Sequence, residues 1–131
     1  MNQWDFVQLV ESMESKLIVE IIESNSHAGV LSSATHTGRE GVRGDGPYMI
    51  FWLRVEKEII VKASAESHGC LYAMATSMLV AQHIEEMTLP QARELDARSL
   101  EIMVGGLPEG KDYYAEMAAL ALTQVVSVDQ S

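Results

Sequence analysis

Tyr48-Met49-Ile50-Phe51-Trp52-Leu53-Arg54-Val55 is the stretch that decides how this chain folds. It is rich in aromatic and β-branched residues, and its side chains sort into two faces. Met49, Phe51, Leu53 and Val55 point one way; Tyr48, Ile50, Trp52 and Arg54 point the other, as a pleated strand requires. Ile59 to Ala65 alternates again, and Ile59, Val61, Ala63 and Ala65 are predicted to share a face. Glu56-Lys57-Glu58 joins the two runs without the Gly or Asn of a strong hairpin turn. Antiparallel pairing of the two runs is the simplest arrangement.

Helical patterns flank this pair. Residues 3–23 read as an amphipathic helix, with Phe6 or Val7, Val10, Met13, Leu17 and Ile21 at three- and four-residue steps, ending at Ser24-Asn25-Ser26. A short extended segment, Gly29 to Ala34, is expected next, followed by a loop through Gly38, Gly41, Gly44 and Gly46 closed by Pro47. Leu71 to Met87 mixes small residues with Leu and Met, which suits a tightly packed helix. Thr88-Leu89-Pro90-Gln91 has the capping-box pattern with Pro in the first turn and starts a short helix. Another runs from Arg98 to Val104 and stops at Gly105-Gly106; the last spans Asp112 to Val126. The fold class is therefore α+β: a small antiparallel sheet with helices packed on one side.

Composition narrows the function. The 131 residues fit a single domain, 1–131, and 47% hydrophobic with 21% charged residues is a globular balance. Nineteen acidic against nine basic residues give a net charge of −10. Such a surface repels phosphate backbones, so nucleic acid is not an expected partner. The N-terminus lacks the basic-then-apolar pattern of a secretory signal, and no run approaches the roughly 18 apolar residues of a membrane span. A soluble cytoplasmic protein with no membrane partner is expected. One cysteine excludes an internal disulfide.

That cysteine is where chemistry is best placed. His68-Gly69-Cys70 falls between the second strand and the long helix. A thiol at a helix N-terminus meets unpaired N–H groups and the positive end of the helix dipole, which favour thiolate. The opposing reading is a small buried hydrophobe beside an ordinary surface histidine. Asp45 ends the glycine loop, whose spacing fits neither a P-loop nor a dinucleotide fingerprint. His27, His36 and His83 show no paired ligand spacing, and Glu85, Glu86, Glu94 and Glu101 read as a solvated face. No serine–histidine–acid set or close carboxylate pair appears, so an enzyme is not expected.

Three stretches together resemble the NifU/IscU family of iron–sulfur cluster assembly scaffolds. Gly44-Asp45-Gly46-Pro47 running into Tyr48 to Glu56 is similar to the family's Cys-Gly-Asp loop and following strand. Ser67-His68-Gly69-Cys70 with the small residues Ala73 to Ser77 is similar to its Gly-Cys and helix. Gly105-Gly106-Leu107-Pro108-Glu109 through Tyr113-Tyr114-Ala115 is similar to a loop leading to its His-Cys pair. The resemblance runs from about residue 18 to residue 127. It implies a scaffold that assembles a [2Fe–2S] cluster on three cysteines, or binds zinc, and works with a cysteine desulfurase or other assembly proteins. It leaves homo-oligomerisation open.

By the same resemblance, Cys70 is the second cysteine, Asp45 stands for the first, and Pro47 for the loop Asp. Tyr114 stands for the third cysteine and Tyr113 for the His before it. The implied metal ligands that remain are Asp45 and Cys70. One thiolate, one carboxylate and two phenols are a poor match for a cluster held chiefly by soft thiolates. The expected function is a degenerate scaffold homologue acting as an accessory or binding module without a stable cluster. The alternatives are a sulfur carrier or weak metal or cluster binder through Cys70, with help from His68, and a small-molecule binder in a vacated site lined by Tyr113 and Tyr114.

Overall fold

The computed structural model describes residues 27–130, which form a four-stranded antiparallel sheet and the helices packed against it. The strands are β1 (His36–Glu40), β2 (Tyr48–Glu56), β3 (Ile59–His68) and β4 (Val126–Ser127), in the spatial order β3-β2-β1-β4. The helices are α1 (Leu71–Ile84), α2 (Leu89–Arg93), α3 (Ala97–Met103) and α4 (Tyr113–Thr123). The predicted helix over 3–23 and its stop at Ser24-Asn25-Ser26 lie outside the described residues.

The predicted hairpin is present. Its two central turn residues, Lys57 (φ 53°) and Glu58 (φ 69°), both adopt left-handed backbone, as a tight two-residue turn demands. Neither residue type advertises that conformation, hence the weak turn signal. Met49, Phe51 and Leu53 on the inner face are fully buried. The face assigned to β3 is only partly as predicted. The register steps from Arg54↔Lys62 to Val55↔Ile60, so Val61 is an extra residue in a bulge. Ile60 turns into the core at 0% exposure while Val61 is 43% exposed. Strict alternation cannot foresee that inversion.

Gly38 is not in a loop. It lies in β1, where its missing side chain lets α4 sit directly on the strand. A Cβ there would run into the Ala121 carbonyl oxygen and lie 2.6 Å from Val125 Cγ2. The extended segment expected at Gly29 to Ala34 is instead a bend and a turn, and the strand starts at His36. α4 ends at Thr123, short of the predicted Val126, because Val126 and Ser127 pair with Thr37 and His36 of β1. α1 also stops early, at Ile84. Beyond it the backbone binds β3 and its turn: Ile60 N–H to Met87 O at 2.8 Å and Leu89 N–H to Glu58 O at 3.0 Å. Glu85 is not on a solvated face. It is half-buried, accepts the Ala63 N–H at 3.0 Å, and pairs with His27 at 2.9 Å, closing the outer edge of β3.

Two predicted helix ends are realised in detail. Thr88 accepts from Gln91 N–H at 3.2 Å and Gln91 Oε1 accepts from Thr88 N–H at 3.0 Å, with Pro90 in the first turn. After α3, Gly106 N–H reaches Glu101 O at 2.8 Å and Gly105 N–H reaches Ile102 O at 3.0 Å, a Schellman closure with Gly105 at φ 87°.

Candidate functional site

Cys70 is the N-cap of α1, with extended backbone (φ −102°, ψ −175°) and no side-chain capping bond. Its thiol is partly exposed. Burial pushes this thiol up, but hydrogen bonding from the Tyr114 hydroxyl, the Ala73 and Tyr72 N–H groups and the Lys111 charge outweigh that. The net result is a thiol below its ordinary value. The thiolate character read from the strand–helix junction therefore has a concrete cause. The hydroxyl partner and the nearby ammonium were not foreseen from chain position.

Gly69 makes room for this contact. Its φ is +155°, and a Cβ on it would lie 2.9 Å from the Tyr114 hydroxyl and 3.0 Å from Ala73 Cβ. α4 brings Tyr114 there from 44 residues downstream and buries it to 2% exposure. The Tyr113 ring lies against it at 4.1 Å between centroids. Burial first, then hydrogen bonding with Tyr113 and Cys70, drives the Tyr114 phenol well above its usual value, so it stays protonated. Periodicity alone offers no signal for this pair, since tyrosines on an amphipathic helix read as packing; the family resemblance is what singles out Tyr113 and Tyr114.

Asp45 lies in the exposed loop between β1 and β2. Gly44 and Gly46, on either side of it, border a hollow together with His68, the last residue of β3. The loop is thus at the Cys70 end of the sheet. Cys70 and Tyr114 are brought into contact. Among the described residues no group of three or more His, Cys, Asp or Glu side chains is placed to hold a metal ion. His36 and His83 stand apart, His36 in β1 beside Thr35 and His83 bonded to Leu79 O of its own helix at 2.7 Å. Among the described residues no helix is long and apolar enough to cross a membrane.

The comparison with known proteins decides the lineage: the pattern of NifU-like N-terminal domains matches residues 13–129. The chain belongs to that family. It is 27% identical over 124 residues to the nitrogen fixation protein NifU of Nostoc sp. (strain PCC 7120), covering 94% of this chain and 41% of NifU. The chain thus spans about two fifths of the NifU it matches. It is 24% identical over 114 residues to the iron–sulfur cluster assembly scaffold protein IscU 1 of Archaeoglobus fulgidus, covering 87% of this chain and 74% of that protein. A scaffold protein of the SUF system from Fervidobacterium islandicum AW-1 superposes with a TM-score of 0.52 at 15% identity, over 82% of this chain and 90% of the other. That likeness speaks to fold, and the fold is the NifU/IscU-like one.

Proposed function

We propose that this domain is a degenerate scaffold homologue in iron–sulfur cluster assembly, an accessory or binding module that does not itself hold a stable cluster. One observation carries the reading: a buried, protonated Tyr114 hydroxyl sits against Cys70, where the family resemblance expects a third cysteine. A [2Fe–2S] cluster, the cargo of such scaffolds, is held chiefly by thiolates. This chain supplies one thiol and, beside it, a neutral phenol held above its ordinary pKa. The donor set does not fit the cargo. Asp45 and Cys70 are the residues left that favour a metal contact, and a cysteine desulfurase or another assembly protein is the class of partner the lineage suggests.

Anaerobic reconstitution with iron and sulfide tests the proposal. Wild-type protein should give no stable cluster spectrum. A variant carrying Asp45→Cys, Pro47→Asp, Tyr113→His and Tyr114→Cys should take up iron and sulfide, or zinc, once a thermal melt shows it folded. Tyr114→Cys removes a buried ring, so some loss of stability is expected. A stable cluster on wild-type protein, or a folded rebuilt variant binding no more metal than wild type, would defeat the reading.

The lowered, partly exposed thiol supports a second reading, in which Cys70 carries sulfur as a persulfide. Intact-mass detection of a labile sulfur adduct on Cys70 separates it from the first.

A further inference from the structure

Beside the Cys70 contact, the same end of the sheet carries a cluster that joins the loop 41–47 to β3. Arg43 Nε and Nη2 both donate to Glu66 Oε2, each at 2.8 Å. The Tyr48 hydroxyl donates to that same oxygen at 2.8 Å. The Arg43 guanidinium carbon stands 5.9 Å from the centre of the Tyr48 ring, and that ring stacks on His68 at 5.8 Å and 14°. The pairing of β2 with β3 sets this up, since Tyr48 lies opposite His68 and Ile50 opposite Glu66. Tyr48 and Glu66 are diagonal neighbours on one face, within reach of long side chains.

Among the described residues the loop is fixed at its base, where Gly41 packs against Pro47 and Tyr48, and little else holds its tip. Gly41, Gly44 and Gly46 all have positive φ, between 84° and 86°, and its internal backbone bond is Asp45 N–H to Val42 O at 3.1 Å. We propose that Arg43, Tyr48, Glu66 and His68 form a clasp that holds this loop, and Asp45 with it, against the sheet end beside Cys70. An isolated exposed ion pair stabilises very little. Here one carboxylate oxygen takes three donors, and the guanidinium also lies against an aromatic ring, so the loop leaves only when Arg43 gives up both Glu66 and the Tyr48 ring, which the Tyr48–Glu66 bond and the Tyr48–His68 stack hold in place on the sheet. When closed, the clasp borders a hollow of about 330 Å³ lined by Arg43, Gly44, Gly46, Tyr48 and His68. When it opens, that hollow merges with solvent and Asp45 is no longer held at this end of the sheet. Arg43 is thus a positioning residue for Asp45. This holds whether or not any metal binds nearby, so its test is independent of the reconstitution experiment.

Backbone ¹⁵N relaxation reads the clasp directly. In wild-type protein at low salt the amides of residues 42–46 should have order parameters near about 0.8, and Arg43→Ala should bring them below about 0.6. Tyr48→Phe should lower them less, and Arg54→Ala, which breaks the exposed Arg54–Glu56 pair elsewhere on β2, should leave them unchanged. Raising salt from about 0.05 M to about 1 M should loosen the wild-type loop while α1 stays rigid, because the Arg43–Glu66 pair is screened. The clasp is refuted if the wild-type loop is already below about 0.6 at low salt. It is equally refuted if Arg43→Ala leaves the loop rigid, or if Arg54→Ala loosens it as much.

Discussion

Replacing Tyr114 by Phe isolates one hydroxyl, because the ring is 2% exposed and phenylalanine fills the same space. That hydroxyl is the largest of the influences that hold the Cys70 thiol down against burial; the Tyr72 and Ala73 N–H groups and Lys111 remain after it is gone. A hydrogen bond to a charged group is worth about 1.5–3 kcal/mol when enclosed. Cys70 is partly exposed, and water replaces some of the loss, so about 1 kcal/mol is the reasonable figure. That corresponds to roughly fivefold less thiolate at any pH below the thiol's midpoint. The sign follows: removing a group that favours the charged form moves the titration to higher pH. A more basic thiolate is also a better nucleophile, so the rate at pH 7 with an aromatic disulfide should fall only about two- to threefold. The decisive reading is the pH–rate profile, whose midpoint should move up while its high-pH plateau holds or rises. Folded Tyr114→Phe protein with an unmoved or lowered midpoint would show that the hydroxyl does not govern the thiol.

Other substitutions probe the fold around this contact. Gly38→Ala should destabilise by about 2–3 kcal/mol, because its Cβ meets backbone and a β-branched side chain of the α4 end; urea denaturation should show it, and a loss below about 0.5 kcal/mol would mean that α4 does not rest on β1. Thr88→Ala removes one half of a complete capping box and should cost about 1 kcal/mol, read as a lower thermal midpoint, whereas Gln91→Ala should cost less. Gly69→Ala combines positive φ with a Cβ 2.9 Å from the Tyr114 hydroxyl, so it should cost about 1–3 kcal/mol and also raise the midpoint of the Cys70 pH–rate profile. A cost without any change in the thiol would separate backbone strain from the Tyr114 contact.

What the sequence makes legible is what local chemistry determines. The alternation in Tyr48–Val55, the Thr88 capping box and the Gly105-Gly106 stop each depend on residues a few positions apart, and each appears in the fold. What it hides depends on distant partners. Gly38 reads as a loop glycine until α4 is laid across it, and Val126 reads as helix until β1 offers it an edge. Val61 reads as inward until the bulge inverts the face. The site divides in the same way. Cys70 at a strand–helix junction signals thiolate character by position alone. Tyr114 at 44 residues' distance and the Arg43–Glu66 pair at 23 have no local signature; resemblance points to the tyrosine, and only the folded chain shows the ion pair.

On the proposed reading, a phenol beside Cys70 also bears on how weakly this site would hold a metal. Two thiolates at contact distance repel one another and favour the charged state of both only when a cation lies between them. A protonated phenol has the opposite effect: it donates a hydrogen to the sulfur and needs no counter-charge. Burial makes the Tyr114 phenol harder to ionise, so it remains a donor throughout the range in which Cys70 loses its proton. The Ala73 and Tyr72 N–H groups and Lys111 supply the remaining stabilisation of the sulfur. Part of the stabilisation that a metal would otherwise give the thiolate is therefore supplied by neutral donors and one ammonium. A site satisfied in this way gains less from binding a metal, because the ion must displace hydrogen bonds already formed and can take Tyr114 as a phenolate ligand only by deprotonating a buried phenol. The same contacts leave the Cys70 thiol partly exposed and its ionisation favoured, as the proposed reading of the site requires.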